Sequence, residues 1–285
     1  MTASSNDPAQ PETVAARTPA LKAGPSRRRR VFAAQEPILF GLLGLVAVGT
    51  LWEVASRLRW VRPILLSSPT EIYEVASREF STGRIWIDIQ VSLVEYGVGL
   101  VLALLVGVVI GIVAGWSERA GSIINPWLTA MYVTPIVALV PIFILWFGIG
   151  IEMKIFVVFL LALFPVAINT IAGVHAAEHR FVRVARSFGA SNARLFTTVV
   201  FPGTVPFIFT GIRQASGRAL VGMVVAELIA SNQGIGFMMS LAGATFNTPK
   251  VMLGILLLAL FGVFVGVVLE RIERRFDGWR PEAAP

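Results

Sequence analysis

Few side chains in this 285-residue chain could do chemistry, and their spacing narrows what that chemistry is. His175 and His179 stand four apart, and two histidines one helical turn apart can share a metal ion. No third ligand accompanies them, so they read as polar loop residues and no metal site is expected. The chain has no cysteine, which excludes a disulfide framework, a thiolate metal site and a cysteine nucleophile. It also has no G-x-x-x-x-G-K-[ST] phosphate loop, so it is not expected to hydrolyse ATP itself. The acids are scattered, and no nucleophile–base pair is evident. What stands out is charge inside an apolar run, namely Arg213, Arg218 and Glu227. Ionisable groups at membrane depth are expensive and default to functional candidates. Arg213 and Arg218 are five apart and do not share a tight helical face. Arg213 is near the run's end and can snorkel. Arg218 is deeper, where it either lines a polar path or subunit interface or pairs structurally. Glu227 is expected to cap the outer end of the run, near Asn232 and Gln233. The three are carried forward as candidate residues of a translocation path, in which an arginine would suit an anionic solute.

The elements that must position these residues are membrane helices. Mean hydropathy is +0.75, 55% of residues are hydrophobic and 14% are charged, against about 25% charged in a soluble domain. Several apolar runs approach the roughly 20 residues needed to cross a bilayer as a helix. The fold class is therefore all-α, a polytopic membrane protein. Six transmembrane helices are expected, over about Ile38–Ser56, Ser92–Trp116, Trp127–Phe147, Lys154–Val174, Pro206–Ala230 and Val251–Leu269. Between the first two, Pro69, Thr70 and Glu71 read as a helix start. Ile72, Val75, Ala76 and Phe80 follow near helical spacing, giving an interfacial helix. Gly107, Gly111 and Gly115 are spaced by four and read as a packing stripe, because small residues let helix backbones approach in lipid. Pro135 and Pro141 sit in the third span, where neighbours can re-satisfy the freed carbonyls.

Net charge is +7. In a membrane protein this reflects basic loops and tails facing anionic lipid rather than nucleic acid. With the N-terminus inside, inner segments hold 15 of the 24 Lys and Arg, and this favours cytoplasmic N- and C-termini. The first outer loop runs against the rule, holding Arg57, Arg59, Arg62, Arg78 and Arg84. Residues 1–34 read as a disordered basic cytoplasmic tail, with Arg27–Arg30 as a juxtamembrane block. Residues 35–275 form the transmembrane domain, with a loop at 175–203, and 276–285 form a cytoplasmic C-terminal tail.

That loop leads into RVARSFGASNARLFTTVVFPGTVPF, which starts at Arg183. Phe181, Val184, Ala185 and Phe188 fall on one helical face, and Arg180, Arg183 and Arg186 on another. Gly189 permits a turn that other residues resist. Ser191 can cap a second short helix carrying Leu195, Phe196, Val199 and Val200 on its apolar face. Pro202-Gly203 is expected to break that helix, and Pro206 to open the fifth span. The product is a helix-turn-helix at the membrane surface. Residue physics alone leaves two readings open, an amphipathic loop resting in headgroups or a knob gripped by a partner.

The stretch resembles the loop of binding-protein-dependent ABC importer permeases, which reads Glu-Ala-Ala, three residues, Gly, nine residues, then Ile-x-Leu-Pro. Gly189 takes the glycine position, Ala185 the second alanine, and Val199, Val200, Phe201 and Pro202 the ending. Arg183 replaces the glutamate and Val184 the first alanine, so the spacing is kept while any glutamate-specific contact is lost. PIVALVPIFILWFGIG and AELIASNQGIGFMM resemble the subfamily for nitrate, sulfonates, taurine and related small anions, and the likeness extends over roughly residues 38–275. The resemblance implies a type I ABC importer permease fold with a cytoplasmic coupling helix. It implies coupling residues Arg183, Ala185, Arg186, Ser187, Phe188, Gly189 and Ala190, which dock in a cleft of a partner ATPase subunit. It further implies ATP and magnesium bound by that ATPase and no cofactor in this chain. A periplasmic substrate-binding protein would deliver the solute, the permease would form a homodimer, and the setting would be the bacterial inner membrane.

Two other classes compete. A stand-alone channel or secondary transporter would show inverted repeats or helices broken at the midplane. No convincing repeat is present, and the basic helix-turn-helix would then have no purpose. A membrane enzyme would need acids or histidines clustered at one membrane face.

Overall fold

The computed structural model describes residues 27–176 and 179–275, and all regular structure among them is helical. The chain divides into two compact units between Leu51 and Trp52. Helix α1 (Arg27–Arg57) runs through the division and contains the expected first span. Arg27–Ala34, expected in a disordered tail, are instead its first residues. The rest of that tail, and residues 276–285, lie outside the described residues. Within the first unit, Phe40, Leu43, Leu45, Val46, Val48 and Leu51 are exposed, an apolar surface suited to lipid.

In the second unit, α2 (Pro69–Thr82) starts where the Pro-Thr-Glu run predicts. Ser68 Oγ accepts from the Glu71 N–H at 3.2 Å, and Glu71 Oε2 accepts from the Ser68 N–H at 3.1 Å, a reciprocal capping box. Gly83, at φ +77°, closes α2 and opens α3 (Arg84–Trp116). Helix α3 thus begins eight residues before the expected Ser92, which moves Ser92 and Glu95 from the membrane surface into the helix body.

The third expected span, a single helix over Trp127–Phe147, is broken. Helix α4 (Glu118–Val133), a 3-10 turn (Ile136–Leu139) and α5 (Val140–Phe147) meet at a bend of 85°. Pro135 has no N–H to donate, and it forces Thr134 to an extended ψ of 132°. Helix α6 (Ile151–His175) follows. Next come α7 (His179–Ser187), α8 (Asn192–Leu195), a π-helical turn (Phe196–Val200) and α9 (Phe201–Ile229). Helices α10 (Ile235–Ala244) and α11 (Thr248–Arg274) complete the order. Among the described residues α3, α6, α11 and the continuous rod Asn192–Ile229 are long and apolar enough to cross a bilayer. The bent α4–α5 pair counts as a fifth span.

Pro202-Gly203 does not break the chain as expected, and Pro206 lies inside α9 rather than at its start. The widened turn is the reason. The Phe201 N–H bonds back to Phe196 O, five residues away, which relieves the clash a proline ring makes with the carbonyl four residues behind it. Thr204 Oγ1 then donates to Val200 O at 2.8 Å.

The core is α3, α6 and α9. A Cβ on Gly99, Gly107, Gly111 or Gly115 would meet Val158, Val166, Thr170 or Val174 respectively. The offset is 59 residues at every pair, so α3 and α6 run parallel in fixed register. The glycine stripe is packing, as the spacing predicts. On the other face of α6, Gly222 meets Leu161, Gly211 meets Asn169 and Gly173 meets Phe207. The numbers fall on α9 as they rise on α6, so these two are antiparallel. Helix α2 is joined to the start of α11 by Lys250 Nζ donating to Glu79 Oε1 at 2.6 Å.

Candidate functional site

The α7–α8 turn is built from two caps. At its end α7 closes in a Schellman motif, in which the Ala190 N–H bonds to Ala185 O at 3.0 Å and the Gly189 N–H to Arg186 O at 2.9 Å. This geometry needs the left-handed conformation at Gly189, whose φ is +74°. Ser191 Oγ then accepts from the Arg194 N–H at 3.3 Å and starts α8. A single residue, Ala190, separates the two caps, so the turn has little freedom. Helix α8 passes through the π-helical turn into α9 without a break, and the turn is rigidly tied to a membrane span.

The turn's side chains face outward. Phe188 is 87% exposed and Val184 is 54% exposed, and Ala185 is half-buried. Arg183, Arg186 and Ser187 are exposed as well, with Ser187 Oγ donating to Arg183 O. Among the described residues none of Arg183, Arg186 and Arg194 is paired with a carboxylate. An open groove of about 530 Å³ lies between the arms, lined by Ala185, Phe188, Ser191, Arg194, Leu195 and Thr198. The side chains of Arg180 and Phe181, predicted on opposite faces of α7, lie outside the described residues. So does that of His179; His175 is exposed at the end of α6.

The three intramembrane ionisable residues do not gather at one place. Arg213 forms an ion pair with Glu273 of α11. Arg218 is exposed on α9; its guanidinium donates to Tyr132 Oη at 2.9 Å and lies 4.4 Å from the Tyr132 ring centre. Glu227 is fully buried. It lies in the last turn of α9, near the loop at Asn232 and Gln233 as expected, but its carboxylate is buried and caps the start of α10. Ser92 Oγ donates to its Oε1 at 2.6 Å and the Gly236 N–H to its Oε2 at 2.7 Å. The reason is the early start of α3, which brings Ser92 inward to meet α9.

Glu227 belongs to a polar knot at one end of the core. The α10 end presents three consecutive N–H groups, and all are satisfied by side chains. Gly234 donates to Asp88 Oδ1 at 2.8 Å, Ile235 to Ser92 Oγ at 3.0 Å, and Gly236 to Glu227. Lys154, from the first turn of α6, forms an ion pair with Glu95 of α3 and donates to Ser231 Oγ at 2.9 Å. Glu95 is fully buried and Lys154 nearly so. A buried ion pair is costly to assemble and more costly to break, so this knot fixes α3, α6, α9 and α10 to one another. The described residues hold no group of three His, Cys, Asp or Glu able to hold a metal ion.

Residues 107–278 match the family described as the binding-protein-dependent transport system inner membrane component. The chain belongs to this family. It is 31% identical to the formylaminopyrimidine transport permease protein of Halalkalibacterium halodurans, over 88% of this chain and 98% of that protein. It is 32% identical to the taurine transport system permease protein of Escherichia coli, over 84% and 88%. It is 33% identical to a putative aliphatic sulfonates transport permease protein of Bacillus subtilis, over 84% and 87%. The chain is thus the membrane permease subunit of an ABC importer. It works with an ATPase subunit and a substrate-binding protein, and it is not the ATPase.

Sequence reasoning missed several polar residues of this permease. Lys154 stands in the sequence only as the first residue of the expected fourth span, and nothing local singles out Asp88 or Ser231. Tyr132, Asn169 and Gln214 were passed over too, though Asn169 Nδ2 donates to Gln214 Oε1 at 3.3 Å and to Pro165 O at 2.8 Å. The available signal was a neutral amide inside an apolar run, which is costly to bury without a hydrogen-bond partner.

Proposed function

We propose that the permease docks on its ATPase through the α7–α8 turn and passes a small anionic solute of the sulfonate and taurine class. The observation that carries the docking is the continuity of the turn with α9. A knob closed by two caps and fused to a 38-residue rod transmits a push or pull to the membrane core rather than absorbing it. Phe188 and Val184 supply an apolar contact, Arg183 and Arg186 a basic one. The arginine at position 183 calls for an acidic or neutral lining at the corresponding place in the ATPase cleft.

In this reading the turn lies in the cytoplasm with both chain termini, in agreement with the excess of inner basic residues, and the membrane is the bacterial plasma membrane. ATP and magnesium stay in the ATPase subunits, and this chain binds neither. A periplasmic binding protein supplies the solute. The permease acts as a homodimer, because each of two ATPases needs a docking turn and one chain supplies half a pathway. The solute class follows the names of the taurine and aliphatic sulfonate relatives and the charge of Arg218, which has no carboxylate partner among the described residues.

The test is co-purification of the detergent-solubilised chain with candidate ATPase subunits, comparing wild type with Gly189→Val. Stable capture by wild type, weakened in the variant while the protein still inserts, is the expected result. If wild type captures no ATPase, docking through this turn fails.

A further inference from the structure

We propose that Arg218, with Tyr132 and Gln214, forms an oxyanion-selective station near the middle of the membrane, at which the solute sheds water against protein donors. The proposal rests on the permease reading and names the place where charge is selected.

Depth comes first. Arg218 lies 11 residues before Ile229, where α9 ends. At about 1.5 Å per residue this is roughly 16 Å along the axis, close to half of a ~30 Å hydrocarbon layer. Snorkelling is therefore not open to Arg218 as it is to a residue near a helix end.

Exposure comes second. Ala215, Ala219, Gly222 and Met223 on the same helix are buried against the core, whereas Thr210, Gln214, Gly217, Arg218 and Val221 are exposed. A face carrying Gln and Arg near this depth does not suit lipid. Water or polar solute suits it.

Charge balance comes third and separates the two arginines. Arg213 has its carboxylate, Glu273. Arg218 has none among the described residues. Its partner is the neutral Tyr132, which holds the guanidinium by one hydrogen bond and the ring face. Tyr132 reaches it from the last turn of α4, immediately before the 85° bend. The guanidinium has five N–H donors, of which Tyr132 accepts one.

One helical turn away, Gln214 adds to the same chemistry. Its Oε1 accepts from Asn169, and this leaves its two amide N–H donors over. The array is rich in donors and contains no acid. It fits the three oxygens of a sulfonate or the two of a carboxylate, and it repels a cation.

The chain's lack of cysteine makes the test clean. Val221→Cys places a single thiol on the exposed face, near one turn from Arg218. In native membranes, its rate of modification is compared for 2-sulfonatoethyl and 2-trimethylammonioethyl methanethiosulfonate, each scaled to a free thiol in water. The anionic reagent, itself an alkanesulfonate, is expected to be favoured by about tenfold over the cationic one. The preference should persist in V221C/R218K and vanish in V221C/R218Q. A thiol at Leu260, an apolar exposed position on α11, should react with neither reagent. Failure of the V221C thiol to react with either reagent overturns the proposal, because the face is then sealed from water. A preference unchanged by Arg218→Gln overturns it as well. Neither result depends on ATPase capture, so failure here and failure of the docking reading are told apart.

Discussion

Gly236 donates its backbone N–H to Glu227 Oε2 at 2.7 Å, and both residues are buried. The contact is so close that a Cβ on Gly236 would lie 2.8 Å from Glu227 Cβ and 2.9 Å from Val224 O. The N-terminal end of α10 is held by this bond and by the neighbouring bonds to Asp88 and Ser92. Gly236→Ala is therefore expected to destabilise the permease by about 1–3 kcal/mol, the usual cost of overpacking. Glu227→Ala removes the acceptor and leaves two buried donors unsatisfied, at about 1–3 kcal/mol for each. Both losses are read as a lowered midpoint in thermal unfolding of the detergent-solubilised protein. An unchanged midpoint in Glu227→Ala would mean that water replaces the carboxylate and that the knot is not closed.

The Lys154–Glu95 ion pair makes a different prediction, because its two halves differ in effect from the whole. Lys154→Met leaves Glu95 buried without its counter-charge and is expected to cost about 3–5 kcal/mol. The double variant Lys154→Met/Glu95→Leu removes both partners and is expected to recover part of that loss, since the buried Glu227, which also interacts with Lys154, stays behind. A double-mutant cycle on the unfolding midpoint decides it. Additive losses would show that the two side chains are not coupled.

The glycine stripe was legible in the sequence, and so was the turn at Gly189, because each depends on residues within one or two turns of one another. The Pro69 helix start was legible for the same reason. Glu227 was not, since Ser92 lies 135 residues before it and no local period connects the two. The fate of Pro202-Gly203 was also out of reach. A proline usually ends a helix, and here the π-helical turn just before it makes room for the ring. The bend at Pro135 shows the opposite outcome for the same residue type, in a span where no such turn intervenes. Pro126 and Pro165 lie inside α4 and α6 with no widened turn before them, so the residue type alone does not state what a proline does.

Helix α3 packs on α6 through Gly111, where a Cβ would collide with Thr170 and lie 2.8 Å from Ala167 O. Gly111→Ala is expected to cost about 1–3 kcal/mol despite alanine's better helix propensity. Thr170→Gly in the same chain removes the colliding Cβ and should restore part of the loss. The comparison is made by thermal unfolding in one detergent. Full tolerance of Gly111→Ala would show that α3 and α6 can separate at no cost, against the constant 59-residue register seen along their whole interface.

The last prediction concerns backbone conformation in the α7–α8 turn. A Cβ on Gly189 would meet no atom within 4 Å, so no steric contact opposes substitution. The obstacle is φ, at +74°. The left-handed region costs an ordinary residue roughly 1–2 kcal/mol and costs asparagine less, because its side chain hydrogen-bonds locally. The β-branched Val should fare worst. ATPase capture is thus expected to rank wild type, then Gly189→Asn, then Gly189→Ala, then Gly189→Val. Bulk alone would predict another order, with alanine ahead of asparagine. Quantifying captured ATPase across the four chains separates the two accounts. An order that follows size would place the docking contact on the glycine's surface rather than in the turn it permits.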